Sequence, residues 1–335
     1  MVKRVLITGI LGQDGPYLAK LLLEKGYEVY GLIRNDPNPN LENLDYLNIT
    51  NKIKFVLGDM RDESSLINFI KVACLDEVYN LAAQSFVGLS WDQAKLTTEV
   101  NALGTLYLLN AIKLYSPRTR FYQASTSEMF GYSGTNGIQT EETPFHPRSP
   151  YAISKLYAYW MTNNYKESYG LFCCNGILFN HESPIRGKEF VTRKITDAVA
   201  RIKLGLTNEL RLGNLDSKRD WGFAGDYVEA MWLMLQQSEP DNYIISTGIT
   251  HSINDFLDIA FNHVGIKDWI KYVKIDPAFN RPIELHILQG KSDKARRKLS
   301  WTPKVSFEDL VRMMVDADLD RYIKKDGAHT IRCKE

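Results

Sequence analysis

The sequence predicts an α/β protein with a doubly wound parallel sheet and a smaller C-terminal lobe. An apolar segment at 2–8 runs directly into the glycine-rich stretch 9–15, and an amphipathic helix follows. Strand-like and helix-like segments alternate through the first half of the chain, and polar side chains follow the ends of several predicted strands. This regular alternation is typical of parallel sheets that carry helices on both faces.

The predicted elements follow in a regular order. Strands are expected at 2–8, 28–33, 53–57, 77–81, 121–124 and 172–178, and helices at 14–26, 63–74, 99–115 and 192–204. Residues 34–50, rich in Asn, Pro and Asp, are expected to form a surface loop. From this order we predict a Rossmann domain at 1–178 with return segments near 220–250, and a lobe at 179–219 and 251–325.

The glycine-rich stretch suits a dinucleotide site. Gly9 permits a tight turn after the strand, Gly12 lets the backbone approach a pyrophosphate, and Gly15 lets the helix pack on the sheet. The N-terminus of the following helix then faces the phosphates. A glycine pattern alone is weak, but this one lies between a predicted strand and a predicted helix.

A second motif suggests redox and proton-transfer chemistry. Tyr151 and Lys155 lie one helical turn apart, and an ammonium beside a phenol favours the phenolate. At the end of a predicted strand, Thr126 offers a hydroxyl, and Glu128 offers a second base, a carboxylate, beside the tyrosine base. Taken alone, the Tyr-Lys pair also fits an exposed amphipathic helix. Combined with the glycine-rich turn, it favours an enzyme that moves a hydride and protons at neighbouring carbons.

Composition excludes several classes of protein. The chain has 335 residues and a formal net charge of +1, which argues against a strongly basic nucleic-acid binder. No apolar run is long enough to span a bilayer, and the N-terminus enters a strand rather than a signal peptide. We therefore expect a soluble, cytoplasmic enzyme without a membrane partner. The four cysteines show no metal or redox spacing: Cys74, Cys173, Cys174 and Cys333.

The second half holds scattered polar residues whose roles the residues alone leave open. His181 lies beside Glu182, but no third ligand follows at usable spacing, so we predict no metal site. Four cations either remain surface charges or converge on a diphosphate: Arg193, Lys194, Arg219 and Arg281.

Several segments match a known family. Segment 7–15 is of a kind shared by the extended short-chain dehydrogenase/reductases, and segments 79–85 and 121–128 also carry the resemblance. The stretches Asn180-His181-Glu182-Ser183-Pro184 and Arg219-Asp220-Trp221-Gly222 are more specific. From Val5 to about Leu319, the chain resembles the GDP-mannose 4,6-dehydratase family within that superfamily.

The resemblance implies a net non-redox reaction with an internal redox cycle. Tyr151 would take the proton of the sugar 4-hydroxyl while carbon 4 gives its hydride to NADP⁺. Thr126 would hydrogen-bond that oxygen, and Lys155 would keep Tyr151 ionised and bind the nicotinamide ribose. Glu128 would remove the acidified proton of carbon 5 and protonate the departing 6-hydroxyl, after which the hydride returns to carbon 6.

The resemblance also implies which residues bind each ligand. The cofactor would be lined by residues of the glycine-rich turn, the strand ends and the second half: Gly9, Gly12, Gln13, Asp14, Gly15, Arg34, Asp59, Met60, Leu81, Ala82, Ala83, Gln84, Ser85, Tyr151, Lys155, His181 and Arg186. The GDP-sugar would be lined by a set that belongs mostly to the C-terminal lobe: Ser85, Asn180, Val191, Lys194, Arg219, Arg281 and Glu284.

This sequence departs from the family pattern at several positions. Arg34 is followed by Asn35 where the family has a second arginine, and the loop after it is rebuilt. Arg34 still offers a cation for a 2′-phosphate, and no acid ends the second strand, so NADP is favoured over NAD. In the family this loop also contributes to a tetramer, so we expect a homodimer or a homotetramer. Phe86, Leu96 and Ile185 stand where many members have His, Tyr and Arg.

Three alternatives stay open. The same dehydration could act on another GDP-hexose, such as an N-acetylhexosamine. A reductase of GDP-4-keto-6-deoxy sugars with the same fold would need no elimination base, and Glu128 argues against it. A catalytically silent nucleotide-binding subunit would not need the set Thr126, Glu128, Tyr151 and Lys155.

Overall fold

A computed structural model describes residues 2–131, 137–279 and 287–332. The strands in chain order are β1 (Arg4–Thr8), β2 (Glu28–Ile33), β3 (Lys54–Leu57), β4 (Glu77–Asn80), β5 (Arg120–Thr126), β6 (Ile138–Gln139), β7 (Cys173–Leu178), β8 (His181–Glu182), β9 (Leu210–Leu212), β10 (Lys218–Arg219), β11 (Gly222–Phe223), β12 (Tyr243–Ile245), β13 (His251–Ser252), β14 (Val273–Ile275) and β15 (Ile287–Gly290). The α-helices are α1 (Asp14–Glu24), α2 (Glu42–Tyr46), α3 (Glu63–Ala73), α4 (Ala94–Thr98), α5 (Gly104–Tyr115), α6 (Pro150–Tyr169), α7 (Val191–Lys203), α8 (Ala224–Gln236), α9 (Ile253–His263), α10 (Asp293–Leu299) and α11 (Phe307–Arg332).

A seven-stranded parallel sheet organises the first half of the chain. Its strand order is β12-β7-β5-β4-β1-β2-β3, and every neighbouring pair is parallel. In register, Ile7 of β1 lies between Gly31 of β2 and Tyr79 of β4. The strand order reverses beside β1, which leaves a crevice at the carboxyl ends of β1 and β4 where doubly wound sheets bind ligands. The predicted doubly wound fold is confirmed.

Among the described residues, shorter sheets and the helices α7, α9 and α11 form much of the second half. A four-stranded sheet has the order β13-β10-β15-β6, and two further sheets pair β11 with β8 and β14 with β9. Helices α7, α9 and α11 pack around an apolar cluster that includes Val199, Trp221, Phe256 and Val311. The chain returns to the large sheet through α8, which packs against α1, and through β12.

Two predicted segments differ from the structure. Residues 34–50, expected to be loop, contain α2, whose Asn43 donates hydrogen bonds to the carbonyls of Leu11 and Gly12. The helix expected at 99–115 is instead a π-helical turn at Glu99–Leu103 followed by α5, and α4 lies directly before it. The bounds of the other predicted elements shift by at most two residues.

The π-helical turn lies beside a close backbone approach and directs a side chain at a neighbouring loop. A Cβ on Gly104, where α5 begins, would lie 2.8 Å from the Met60 carbonyl oxygen, so the chain passes this point at close range. The turn directs Asn101 at the loop after β4, where it accepts from Gln84 N at 2.9 Å and donates to Gln84 O at 3.1 Å. Single π-helical turns inside α-helices are often found at functional sites.

Candidate active site

A cavity of about 580 Å³ opens at the carboxyl ends of β1, β4 and β5. Every residue predicted for the cofactor lines it, from Gly9 to Arg186. Thr126 and Glu128 line the same cavity, as do Ser85 and Asn180 of the predicted sugar site. The structure therefore brings the four candidate catalytic residues and the glycine-rich turn to one place.

The glycine-rich turn leaves no room for side chains at two positions. Gly9 has a φ of +71°, and a Cβ there would lie 2.8 Å from the backbone nitrogen of Ala82. A Cβ on Gly15 would lie 2.5 Å from the Gly9 carbonyl oxygen, because α1 starts tightly against the turn. The Thr8 hydroxyl accepts from Leu81 N and Ala82 N at 3.1 and 3.0 Å and fixes the facing loop. The turn is a rigid cradle of the kind that a dinucleotide needs.

Helix α6 places Tyr151 and Lys155 against the end of β5. The helix begins because the Ser149 hydroxyl accepts from Ala152 N at 3.1 Å and Pro150 occupies its first turn. Lys155 is 3% exposed, and its ammonium donates to the Ala124 carbonyl at 2.9 Å. The Thr126 side chain lies close enough to the Tyr151 phenol to oppose the rise in its pKa.

The protein's own groups favour the neutral phenol. Burial raises the pKa of Tyr151 to about 12, against an opposing hydrogen bond from Thr126, and the Glu128 carboxylate adds to the rise. Burial lowers the pKa of Lys155 to about 8. A neighbouring ammonium was expected to lower the pKa of Tyr151, but the pKa is raised. The reason is that Lys155 Nζ lies 6.0 Å from the phenol ring centroid and donates to the Ala124 carbonyl instead.

Glu128 lies in a short 3₁₀ turn, Ser127–Met129, directly after β5. Its backbone nitrogen donates to the Thr126 hydroxyl at 3.3 Å, so Thr126 caps the turn that carries the carboxylate. Thr126 and Glu128 stand at the end of β5, and Tyr151 lies on α6. The Glu128 carboxylate and the Tyr151 phenol therefore reach the same cavity from different elements.

An acidic side chain stands beside the predicted phosphate cradle. Asp14 starts α1, and its carboxylate accepts from His181 Nε2 at 2.9 Å, while His181 Nδ1 lies 2.8 Å from the Phe179 carbonyl oxygen. Burial alone would raise the pKa of Asp14, but the charge of His181 and its hydrogen bond outweigh burial and lower it. Burial would lower the pKa of His181, and Asp14 reverses this so that the pKa is raised.

These opposite shifts predict how the pair responds to pH. The contribution of His181 to the free energy of unfolding is complete below about pH 6.5 and is lost as the pH rises through its raised folded-state pKa. The contribution of Asp14 is complete above about pH 3.8 and is lost as the pH falls through its lowered folded-state pKa. We expect the Asp14–His181 coupling free energy to be larger near about pH 6 than near about pH 9. Urea unfolding of wild type, Asp14→Asn, His181→Gln and the double variant measures it, and a coupling that grows with pH contradicts the assignment.

Only some of the residues predicted for the nucleotide-sugar line the cavity. Val191 and Lys194 lie on α7 and Arg219 on β10, outside the cavity lining. Burial lowers the pKa of Lys194, and nearby Asp276 opposes that shift. Arg281 and Glu284 fall outside the described residues.

Arg193 is neither an exposed surface charge nor a cation that faces a diphosphate, the two alternatives that the sequence left open. Its side chain is buried and forms an ion pair with Asp318 of α11, with a shortest N–O distance of 2.7 Å. It also donates to the carbonyls of Pro184 and Arg186. Arg193 is therefore an internal structural cation and not a ligand of a phosphate.

The cavity lining includes residues that were not predicted, among them Arg61, Phe86 and Phe190. Arg61 follows the end of β3 by a few residues and donates two side-chain hydrogen bonds to Asp59, which could have been suspected from its position near a strand end. Phe86 and Phe190 form an edge-on aromatic pair with ring centroids 5.7 Å apart. The aromatic pair joins segments far apart in the sequence, so no local signal marks it.

Among the described residues, no group of three or more His, Cys, Asp or Glu side chains is arranged to hold a metal ion. None of the helices in that part of the chain combines the length and apolar character needed to cross a bilayer.

Known proteins resemble this chain over nearly its full length. The family model described as GDP-mannose 4,6 dehydratase matches residues 6–314. GDP-mannose 4,6 dehydratase 1 of Arabidopsis thaliana is 53% identical over 328 residues, covering 95% of this chain and 90% of the relative. The human GDP-mannose 4,6 dehydratase is 48% identical over 339 residues, covering 94% and 91%.

A solved structure agrees with these sequence matches. The dTDP-glucose 4,6-dehydratase DesIV of Streptomyces venezuelae, crystallised with NAD, superposes with a TM-score of 0.81 at 27% identity, covering 94% of this chain and 96% of DesIV. The glycine-rich turn, the Tyr-Lys pair and the extra carboxylate had pointed to the same superfamily. Together with the family match over residues 6–314, these findings establish that the chain belongs to the GDP-mannose 4,6-dehydratase family.

Proposed function

We propose that this protein converts GDP-D-mannose to GDP-4-keto-6-deoxy-D-mannose and water. The observation that carries the proposal is the meeting of Thr126, Glu128, Tyr151 and Lys155 with the glycine-rich turn in one cavity of a chain of this family. An alcohol dehydrogenase needs a hydroxyl donor and a tyrosine base, and an elimination needs one further acid/base. Glu128 supplies that additional group.

The cavity suits a nicotinamide dinucleotide. Gly9, Gly12 and Gly15 line it, and the backbone packs too closely at Gly9 and Gly15 for a Cβ. Helix α1 begins within this turn, so its N-terminus suits a phosphate. A nicotinamide dinucleotide held there would supply the acceptor, and then the donor, of the sugar's hydride. We assign the glycine-rich turn, Asp59, Met60 and the loop 81–85 to holding the dinucleotide, and Lys155, His181 and Arg186 to its nicotinamide half.

The chain's own residues then move the protons. Tyr151 takes the proton of the sugar 4-hydroxyl, with Thr126 hydrogen-bonded to the same oxygen. The 4-ketone acidifies carbon 5, and Glu128 removes that proton and delivers it to the departing 6-hydroxyl. The two protons removed, from oxygen 4 and carbon 5, balance the one that leaves in water and the one that carbon 5 regains.

We assign the two ligands to different parts of the chain. Residues 1–178, with the return near 220–250, form the cofactor domain, and 179–219 with 251–325 form the GDP-sugar lobe, from which His181 and Arg186 reach the cofactor cavity. The position of β12 in the large sheet supports the first assignment. The start of α7 at the cavity, where Phe190 is a lining residue, supports a sugar site that extends along that helix towards Val191 and Lys194.

We further propose a cytoplasmic homodimer or homotetramer. Ile153, Tyr157 and Trp160 are exposed along one face of α6 and form an apolar surface suited to a second copy of the chain. Cys74, Cys173 and Cys174 are free thiols, as expected in a reducing compartment.

We propose NADP in preference to NAD, with Arg34 as the discriminating cation. Arg34 is exposed at the end of β2 and lines the cavity. Arg61 holds the pKa of Asp59 below its usual range, and Arg34 contributes to the same shift, so both cations lie near the Asp59 carboxylate. A charge-assisted contact is worth roughly 1.5–3 kcal/mol, which is about tenfold or more in affinity.

Arg34→Ala should therefore weaken NADPH binding by about tenfold or more and leave NADH binding unchanged. Calorimetric titration of both cofactors measures the two affinities. Arg118→Ala is the matched control, because Arg118 is exposed in the turn before β5, at the amino-terminal end of that strand. Equal losses for NADPH and NADH would remove Arg34 from cofactor discrimination.

Mass spectrometry of the reaction products tests the activity itself. Incubation with GDP-mannose and NADP should yield a product lighter by one water. No product from GDP-mannose, but water loss from another GDP-hexose, would reassign the substrate. Conversion of a GDP-4-keto-6-deoxy sugar with consumption of reduced cofactor, and no dehydration, would make the enzyme a reductase.

A further inference from the structure

The turn at 183–186 brings a cation into the cofactor cavity. Arg186 N donates to the Ser183 carbonyl at 3.0 Å and closes the turn. The Arg186 guanidinium lies 3.5 Å from the Phe190 ring centroid, and its Nε lies 3.0 Å from a Glu182 oxygen. Its charge opposes the rise in the pKa of Tyr151 and contributes to the lowered pKa of Asp14. The Arg186 charge therefore acts on both the catalytic phenol and the carboxylate beside the phosphate cradle.

Two arginines from outside the cavity hold the backbone of this turn. The Pro184 carbonyl accepts from Arg193 Nη1 at 2.8 Å and from Arg321 Nη2 at 2.7 Å. The Arg186 carbonyl accepts from Arg193 Nη1 at 2.9 Å. Pro184 is buried, and a buried carbonyl needs such donors.

A single carboxylate orients both arginines. Asp318 of α11 is 1% exposed, and both of its oxygens lie 2.9 Å from Arg193 Nε. It also accepts from Arg321 Nη1 at 2.9 Å and from the Thr196 hydroxyl at 2.7 Å. The planar guanidinium of Arg193 can face a carboxylate with one edge and carbonyls with the other, which the compact ammonium of lysine cannot reproduce.

We propose that Asp318 and Arg193 are positioning residues that fix Arg186, and through it the cofactor, from the C-terminal helix. This inference rests on the proposed function in one respect, the assignment of the cavity to a nicotinamide dinucleotide. The clamp formed by Asp318, Arg193 and Arg321 connects α11 and α7 to a turn whose side chain enters the site. It explains why a deeply buried ion pair stands beside the cavity without contacting it.

The test separates positioning from general stability. Asp318→Asn keeps the shape of the side chain and removes its charge, and Arg193→Lys keeps the ion pair and loses the planar fork. Glu77→Gln is the matched control, because Glu77 is also a buried carboxylate with several donors but lies at the amino-terminal end of β4. Hydrogen exchange of the peptide covering 183–190 is measured for each protein, together with calorimetric titration of NADPH and NADH. The stoichiometry of the titration measures the folded fraction, and the dissociation constant measures how well the site of the folded protein binds the cofactor.

We expect both clamp variants to exchange the 183–190 amides at least tenfold faster and to bind the cofactor at least tenfold more weakly at full stoichiometry. The Glu77→Gln control should change neither. Clamp variants that match this control in both measurements, or that loosen the turn without weakening the cofactor, would overturn the proposal. If Asp318→Asn does not fold, Arg193→Lys decides between these outcomes. If the wild-type chain binds neither cofactor, the proposed function fails and the exchange comparison alone decides whether the clamp holds the turn.

Discussion

Tyr151→Phe should reduce turnover of GDP-mannose by on the order of 10²–10⁴-fold while cofactor binding stays nearly unchanged. The variant removes only the phenol oxygen, which we assign as the base of the first hydride step. The ring fills the same buried space, since Tyr151 is 8% exposed. Steady-state rates and calorimetric titration of the cofactor measure the two effects separately.

Another tyrosine of the same helix provides a control for this variant. Tyr169 ends α6 and is 53% exposed, so Tyr169→Phe should behave as wild type. If Tyr151→Phe turned over within tenfold of wild type, another group would have to accept the proton of the 4-hydroxyl. Because burial raises the pKa of Tyr151 to about 12, the rate of the first step should also increase with pH through the neutral range.

Glu128→Gln should block the elimination but allow the first hydride transfer. The amide keeps the size of the side chain and cannot take the proton of carbon 5 or deliver it to the departing hydroxyl. Rapid mixing with GDP-mannose should therefore show reduced nicotinamide accumulating, with no dehydrated product in the same samples.

The control for this variant is Glu142→Gln, which alters an exposed carboxylate beyond the site. We expect it to form product at the wild-type rate. Normal product formation by Glu128→Gln would exclude Glu128 from the mechanism and would leave the elimination without an identified acid/base among the cavity residues.

The part of the site nearest the sheet could be predicted because it depends on local patterns. The glycine spacing of 9–15, the Tyr-Lys spacing on one helix and the short turn after β5 each fix a geometry within a few residues. The order of parallel strands then places their carboxyl ends at one edge. Residues that follow from these rules, such as Gly9, Thr126 and Tyr151, do line the cavity.

The C-terminal half was less predictable because its contacts depend on tertiary packing. Arg193 and Lys194 are adjacent in the sequence, but a helix turns them to different faces. Arg193 forms an ion pair with the buried Asp318, 125 residues later in the chain, whereas Lys194 lies near Asp276. No spacing within α7 indicates which of the two is internal. The aromatic pair of Phe86 and Phe190 is hidden from sequence inspection for the same reason.

The π-helical turn at Glu99–Leu103 has a consequence for how this enzyme tolerates changes in chain length. Asn101 bonds Gln84 on one side and donates to the Ser154 hydroxyl at 3.1 Å on the other, and Ser154 in turn donates to the Tyr151 carbonyl. A one-residue deletion here would restore regular α-helical winding, and it would rotate this amide away from both partners. A shortened chain could then gain backbone regularity while losing the alignment between the loop after β4 and the helix that carries Tyr151. Selection for thermal robustness and selection for turnover would favour different lengths of the same segment.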